Sequence, residues 1–249
     1  MGSPLRSLLP ESLPIVDEAH LLARYATSQR PFIRFNFISS VDGSAQREGL
    51  SGGLGSPGDK RIFGLLRRLA DVILVGAGTV RAEGYAGDLV SAEDIAWRQA
   101  RGMSAQPVLA IVSHGLHLKP DNEVFTLSPV PVLLFTSAEI TPEHRAQFPA
   151  QVEVIEVAEV NEGCDPQQIV EILTSRGLEF IHAEGGPHLL GQFIAADRLD
   201  SLCVSFSPMV LAGSGQRIAH GPQEAVRHLR LHSLCEEDSM LFSDYRRRE

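Results

Sequence analysis

Short runs of β-branched and aromatic residues recur along the chain at 32–38, 72–75, 108–112, 130–135, 152–157, 180–182 and 202–206. Gly, Pro, Ser or Asp bounds most of them, which is the pattern of strands separated by turns. Between the runs the period changes. After Ser56 and Pro57, residues Ile62, Leu65, Leu66 and Leu69 share one helical face, with Ser56 suited to cap the helix and Pro57 to its first turn. Helical spacing also covers about 166–176 and 187–196. Strands alternating with helices predict a single α/β domain: a central, mostly parallel sheet with helices on both faces. Residues 226–232 and 240–245 break the rhythm and predict two antiparallel closing strands at one edge, making the sheet mixed. Residues 1–30, with several prolines and one weakly helical stretch at 15–25, read as a lead-in that packs on a main body of 31–249.

Two predicted strands end in glycine. One junction is Asp71-Val-Ile-Leu-Val-Gly-Ala-Gly-Thr79, the other Phe180-Ile-His-Ala-Glu-Gly-Gly-Pro-His-Leu-Leu190. Gly76 in the first and Gly185 and Gly186 in the second carry no side chain to keep an anion from the backbone. Pro187 suits a first helical turn, whose amides then point outward. Two such strand ends suggest a dinucleotide bound along one sheet edge. Thr79 can cap the following helix while facing a phosphate, or simply close a tight turn. Glu83, one turn further on, can reach a ribose hydroxyl or be an exposed helix-end acid. Glu184 stands where open α/β sheets contact ligands, and can accept hydrogen bonds from a substrate or cap the next helix. Arg67, beside the apolar stripe of its helix, suits an anion if buried and is ordinary if exposed. Asp42, before Gly43, reads first as an Asx-turn residue. His182 and His188 read as packing or solvent-facing groups. Leu50-Ser-Gly-Gly-Leu-Gly-Ser-Pro57 is a flexible loop able to fold over a ligand.

The 249 residues carry a formal net charge of −9, which argues against a nucleic-acid surface. An anionic cofactor must then be held by local amides and a few arginines; the basic Arg246-Arg247-Arg248 reads as a solvated terminus. No apolar span of about 18 residues predicts a membrane helix, and no export signal is expected. Cys164, Cys203 and Cys235 fit reduced thiols of a cytoplasmic protein. No metal-ligand spacing appears.

The order strand, Ser-Val-Asp-Gly43, Ser51 loop, helix with Arg67, Val-Gly-Ala-Gly-Thr79 and Glu184-Gly-Gly-Pro-His-Leu-Leu-Gly191 resembles the reductase domain of the bifunctional deaminase-reductases of riboflavin biosynthesis, over about residues 31–245. The resemblance implies a dihydrofolate-reductase-like fold and an oxidoreductase that uses NADPH to reduce the ribosyl group of an aminouracil phosphate to ribityl. Matching positions assign Thr79, Glu83, Ser113 and the run from Gly186 to Gln192, with Pro187, His188, Leu189 and Leu190, to NADPH, Gly53 to its nicotinamide side, and Ser51, Arg67 and Glu184 to substrate. Glu184 and Asp42 are the candidate proton donors beside water. A homodimer through the closing strands is implied, and Arg81 and Arg98 are candidates for a 2′-phosphate. The chain departs from the family at Ser44, where a Lys or Arg follows Asp-Gly, leaving Arg47 or Lys60 to replace the cation. It departs again at Glu83-Gly84-Tyr85, and the motifs of the zinc deaminase half are absent, so a standalone reductase is expected. A dihydrofolate or pterin reductase on the same fold, and a catalytically inactive NADPH-binding regulator, are the alternatives.

Overall fold

The computed structural model describes residues 4–14 and 17–248. In chain order the elements are β1 (Arg6–Leu9), β2 (Leu13–Pro14), α1 (Glu18–Tyr25), β3 (Phe32–Ser40), α2 (Pro57–Leu69), β4 (Val72–Gly76), α3 (Ala77–Glu83), α4 (Ala92–Gln99), β5 (Val108–Val112), α5 (Glu123–Thr126), β6 (Val132–Thr136), α6 (Pro142–Arg145), β7 (Val152–Glu156), β8 (Glu159–Val160), β9 (Gly163–Cys164), α7 (Pro166–Ser175), β10 (Phe180–Ala183), α8 (Pro187–Ala195), β11 (Ser201–Ser207), β12 (Leu229–Glu237) and β13 (Met240–Arg247). Eleven strands form one sheet in the order β2-β1-β12-β13-β11-β3-β10-β4-β5-β6-β7, and β8 and β9 pair as a separate hairpin. From β11 to β7 every pairing is parallel. The other edge, from β2 to the β13–β11 pairing, is antiparallel.

Alternation along the buried strands sorts the core into two faces. Val72 and Leu74 of β4 pack with Ile169, Leu173, Leu190 and Phe193 of α7 and α8. Ile73 and Val75 point the other way, into a cluster with Ala77 and Val80 of α3 and Phe125 of α5. Helices therefore cover both faces, and each fully buried Leu, Ile or Phe contributes about 1.5–3 kcal/mol. A third cluster joins Leu21 and Tyr25 of α1 to Ile62, Leu65 and Leu66 of α2, over Cys203, Cys235 and Phe242.

Three features differ from the pattern read along the chain. The lead-in supplies strands: β1 pairs with β12, Arg6 opposite Glu236 and Ser7 opposite Cys235. Such short edge strands carry too few residues to show a period. The helix within 15–25 starts at Glu18, capped by Asp17, which accepts from the His20 amide at 2.8 Å; Ile15 and Val16 lie outside the described residues. The first closing strand begins at Leu229 rather than 226 and runs on to Glu237. Its partner decides this, because Met240 sits opposite Glu237, across a turn with Asp238 and Ser239 at φ 50° and 67°. Pairing there overrides the weak strand preference of two glutamates.

Candidate active site

Strands β10, β4 and β5 are parallel neighbours, so their carboxyl ends open on one edge. The Glu184 amide donates to Leu74 O at 3.0 Å and the Gly76 amide to Gly185 O at 2.7 Å. Those bonds set the two glycine junctions side by side. Gly185 has φ +117°, a backbone that L side chains rarely adopt, and the Gly185–Gly186 peptide is cis. A Cβ on Gly76 would stand 3.2 Å from the Gly186 nitrogen, and one on Gly185 or Gly186 would stand 3.3 Å from Thr79 Oγ1. The junction is thus a side-chain-free floor with one hydroxyl over it. Gly186 is the N-cap of α8 and Gly76 that of α3, and neither helix start receives a side-chain capping bond. Their first amides are left for a ligand, where an anion gains about 0.3–1 kcal/mol when exposed and more when partly buried. Thr79 is the third residue of α3 rather than its cap.

The edge opens into a cleft of about 780 Å³, within the usual 300–1,000 Å³ range for small-molecule sites. Its glycine end fits the phosphates of a dinucleotide: donor amides, a hydroxyl, and the adjoining acid, Glu184, bound by Arg67. Across the cleft stands one face of α2. Arg67 donates to both Glu184 oxygens, Nε to Oε1 at 2.6 Å and Nη2 to Oε2 at 2.7 Å, and to Leu89 O at 3.0 Å. Phe63 and Tyr85 lie 4.5 and 5.4 Å from the guanidinium. Burial by itself would raise the Glu184 carboxyl; the Arg67 charge and its two bonds outweigh burial and hold it below the carboxylate range. Arg67 stays charged for the same reason, its own burial opposed by Glu184. Glu184 is therefore an ionised acceptor, not a helix cap. Tyr85 faces the same carboxylate, and burial first, then Glu184, pushes its phenol well up.

His182 sits behind this pair, fully buried, its Nε2 3.5 Å from Glu184 Oε1. Neither ring nitrogen has a hydrogen-bond partner. Burial holds its pKa down to about 4, against an ordinary 6.5. Between those values the unfolded chain binds a proton that the folded chain refuses, so this group costs stability progressively as pH falls from 6.5 to about 4 and nothing above that window. Urea unfolding of the native chain and of His182→Leu across that window is expected to show a shallower pH dependence in the variant. Parallel curves would assign the slope to other groups.

Not every residue singled out in the sequence reaches the cleft. Gly76, Thr79, Glu83, Ser113, Gly185, Gly186, Pro187, His188, Leu189, Ser51, Arg67 and Glu184 line it. Gly53 does not: its Cβ position faces the Arg47 side chain at 3.3 Å, while Gly52 and Gly55 form the wall. Leu190 turns into the core and is fully buried, as expected one residue on from Leu189 along a helix. Ser113 directly follows β5 and accepts from the His117 amide at 3.2 Å. Glu83 and Ser51 meet each other: the Ser51 amide and hydroxyl donate to Glu83 Oε1 at 2.8 and 2.9 Å, tying the glycine loop to α3. Asp42 stands outside, beside a second cavity of about 450 Å³. Its carboxylate accepts from the Leu211 and Ala212 amides at 3.0 and 2.7 Å, a loop-holding role.

Of the cations, Arg98 is fully buried and donates to the carbonyls of Arg68, Ala70 and Ser104. It is unavailable to a 2′-phosphate. Arg81 lines the cleft and folds back over the first junction, Nη2 3.8 Å from the Cβ position of Gly78. Ser44 is buried under the 212–217 loop, where a Cβ on Gly215 would come within 2.0 Å of its hydroxyl. A lysine or arginine in place of Ser44 would collide with that loop. Lys60 is on the cleft wall and Arg47 is not. His188 lines the cleft and stacks on His220, centroids 5.6 Å apart.

Asp59 is the wall residue the sequence concealed. It follows Ser56 by three positions, a spacing that reads as a helix start, and its amide does donate to Ser56 Oγ at 3.1 Å. Its carboxyl, though, lines the cleft. Burial raises it, and a bond from Ser205 and the charge of Lys60 pull the other way. Among the described residues no group of three or more His, Cys, Asp or Glu side chains is placed to hold a metal, and no helix is long and apolar enough to cross a membrane.

Comparison with known proteins agrees with this geometry. The model of the RibD C-terminal domain family matches residues 31–241. The 2,5-diamino-6-ribosylamino-4(3H)-pyrimidinone 5′-phosphate reductase of Archaeoglobus fulgidus is 27% identical over 189 residues, 74% of this chain and 83% of that protein. A pyrimidine reductase-like protein from Corynebacterium diphtheriae superposes with a TM-score of 0.74 at 27% identity, covering 88% of this chain and 92% of its own. The diaminohydroxyphosphoribosylaminopyrimidine deaminase/5-amino-6-(5-phosphoribosylamino)uracil reductase of Thermotoga maritima shares the fold, with a TM-score of 0.70 at 20% identity over 91% of this chain and 59% of that one. With the mixed sheet, the paired glycine junctions and a family match over most of its length, the chain belongs to the RibD C-terminal domain family.

Proposed function

We propose that this protein is an NADPH-dependent reductase of a ribosylaminopyrimidine 5′-phosphate, converting the ribosyl group to ribityl. The observation that carries the reading is the cleft itself, with an anion-binding glycine floor at one side and the ionised Arg67–Glu184 pair at the other. NADPH supplies a hydride when bound. The chain's own residues position and polarise. Free amides at the starts of α3 and α8 and the Thr79 hydroxyl hold the pyrophosphate. Glu184 accepts from ribose hydroxyls, and its negative charge favours the protonated, ring-opened imine that accepts hydride at C1′. Hydride addition to the protonated C1′=N bond leaves a neutral secondary amine, so one hydride and one proton are consumed.

The test is NADPH consumption by the purified chain, followed by nicotinamide absorbance, with the ribosylaminopyrimidine phosphates and dihydrofolate in parallel. Turnover of a pyrimidine substrate with dihydrofolate slower supports the reading. Faster turnover of dihydrofolate, or NADPH binding with no turnover of any acceptor, overturns it. We assign Arg81 to the 2′-phosphate. Arg81→Ala is expected to raise KM for NADPH by at least about tenfold, the equivalent of one charge-assisted hydrogen bond, and to leave KM for NADH unchanged. An equal change for both cofactors removes the assignment.

A further inference from the structure

Among the described residues four carboxyl groups line the cleft: Asp59, Glu83, Glu162 and Glu184. Three have evident occupations. Glu184 is held by Arg67, Glu83 by Ser51, and Glu162 is solvated at the exposed tip of the β8–β9 hairpin. Asp59 differs from them. It is half-buried, has no arginine partner among the described residues, and has Ser205 beside its carboxyl. A carboxylate has about four acceptor sites, so acceptor sites remain for a ligand in the cleft it lines. The flank beside it is open, because Gly55 has no side chain where a Cβ would stand 3.1 Å from Asp59 Oδ2.

The surroundings define what fits. Asp59, Phe63 and Arg67 follow one another at four-residue steps on α2 and all line the cleft. Residues so spaced share one helix face, about 6 Å apart. A carboxylate, an aromatic ring and a guanidinium paired to Glu184 therefore run in a row from the helix start toward the glycine floor. A flat heterocycle with adjacent donors on one edge, lying against Phe63, satisfies the first two members, and its ribosyl arm points to the third.

The substrates named for the relatives differ at the edge in question. The 2,5-diaminopyrimidinone bears N3–H beside a C2 amino group, two parallel donors. The 5-aminouracil bears N3–H beside a C2 carbonyl, one donor and one acceptor. A carboxylate accepts both donors of the first ring as a fork. Against the second it sets an oxygen lone pair against the C2 oxygen, and one buried acceptor goes unpaired. We propose that Asp59 reads the pyrimidine ring and selects the 2-amino substrate over its 2-oxo counterpart. The inference rests on the reading that this cleft reduces a ribosylaminopyrimidine phosphate.

The decisive measurement is kcat/KM of the native chain and of Asp59→Asn for both ribosylaminopyrimidine phosphates, with NADPH affinity measured alongside. The native chain is expected to prefer the 2-amino substrate by about 10–100-fold, the discrimination set by one mispaired group. The side-chain amide introduced by Asp59→Asn presents one donor and one acceptor, so the variant should lose most of that advantage and hold or gain activity on the uracil, with NADPH affinity unchanged. A native preference for the uracil, or an equal loss on both substrates, overturns the proposal. Calorimetric titration of 2,6-diaminopyrimidin-4(3H)-one against 6-aminouracil asks the same question without catalysis. If neither phosphate is turned over, the proposed reduction fails. The selection by Asp59 then stands on tighter binding of the diamino ring, lost in Asp59→Asn, and falls if the two rings bind alike.

Discussion

Glu184→Gln is expected to lower reductase turnover by about 10²–10³-fold, the loss typical when one preorganised electrostatic group is removed from a site, while NADPH affinity changes little. The amide can still accept a bond from Arg67, but it carries no charge to favour a protonated imine. The same change leaves the Arg67 guanidinium, 17% exposed at its side chain, beside a neutral group. Breaking a buried ion pair from one side costs about 3–5 kcal/mol, and partial exposure of Arg67 together with the retained amide bond put the expected loss toward the low end. Stability and activity can be separated. Arg67→Met added to Glu184→Gln removes the stranded charge, so the double variant should regain much of the thermal stability and none of the turnover. Full turnover in Glu184→Gln would sink the catalytic role; an unchanged melting temperature would mean that water replaces the lost charge.

Gly191→Ala is expected to weaken both the fold and cofactor binding. Gly191 lies inside α8, where a Cβ would come 1.7 Å from the His220 carbonyl oxygen and 2.6 Å from its carbon. That obstacle is backbone, so it cannot swing aside as a flexible side chain would. The segment carrying His220 is docked on α8 by the His220 amide, which donates to Pro187 O at 3.0 Å, and by the His188–His220 stack. Overpacking of this kind costs about 1–3 kcal/mol, and the displaced segment takes with it the seat of Pro187 and His188 on the cleft wall. Thermal unfolding and NADPH titration should both register the change. Gly64→Ala is the matched control, since nothing lies within 4 Å of its Cβ position in α2. Helix propensity alone predicts a gain of about 0.5–1 kcal/mol there. Equal effects at the two glycines would mean that helix propensity, not the clash, governs Gly191.

Much of this architecture could be read along the chain because it rests on local periods. The runs at β4 and β5 are apolar on both faces, as strands in the middle of a parallel sheet must be, and the caps and prolines at Ser56–Pro57 and Gly186–Pro187 mark helix starts wherever they occur. The glycine junctions were equally legible, since a missing side chain is a property of the residue and not of its neighbours. The chemistry of Arg67, Glu184 and Asp59 was not. Each allowed a structural and a functional use, and the choice depended on what stood opposite.

The amino-acid sequence by itself determined the alternation of strands and helices, the mixed character of the sheet, two side-chain-free strand ends and the family these motifs mark. Only the tertiary structure decided that β10 enters the sheet between β3 and β4, which lays Gly185 against Gly76 and brings Glu184 to Arg67 across 117 positions. It also turned Leu190 inward, sank Arg98 among carbonyls, closed Ser51 on Glu83 and aimed Asp59 into the cleft. The division has one physical cause. Backbone period and turn chemistry act over a few residues and are written in consecutive letters, whereas burial and pairing of a charge depend on surfaces assembled from distant parts of the chain.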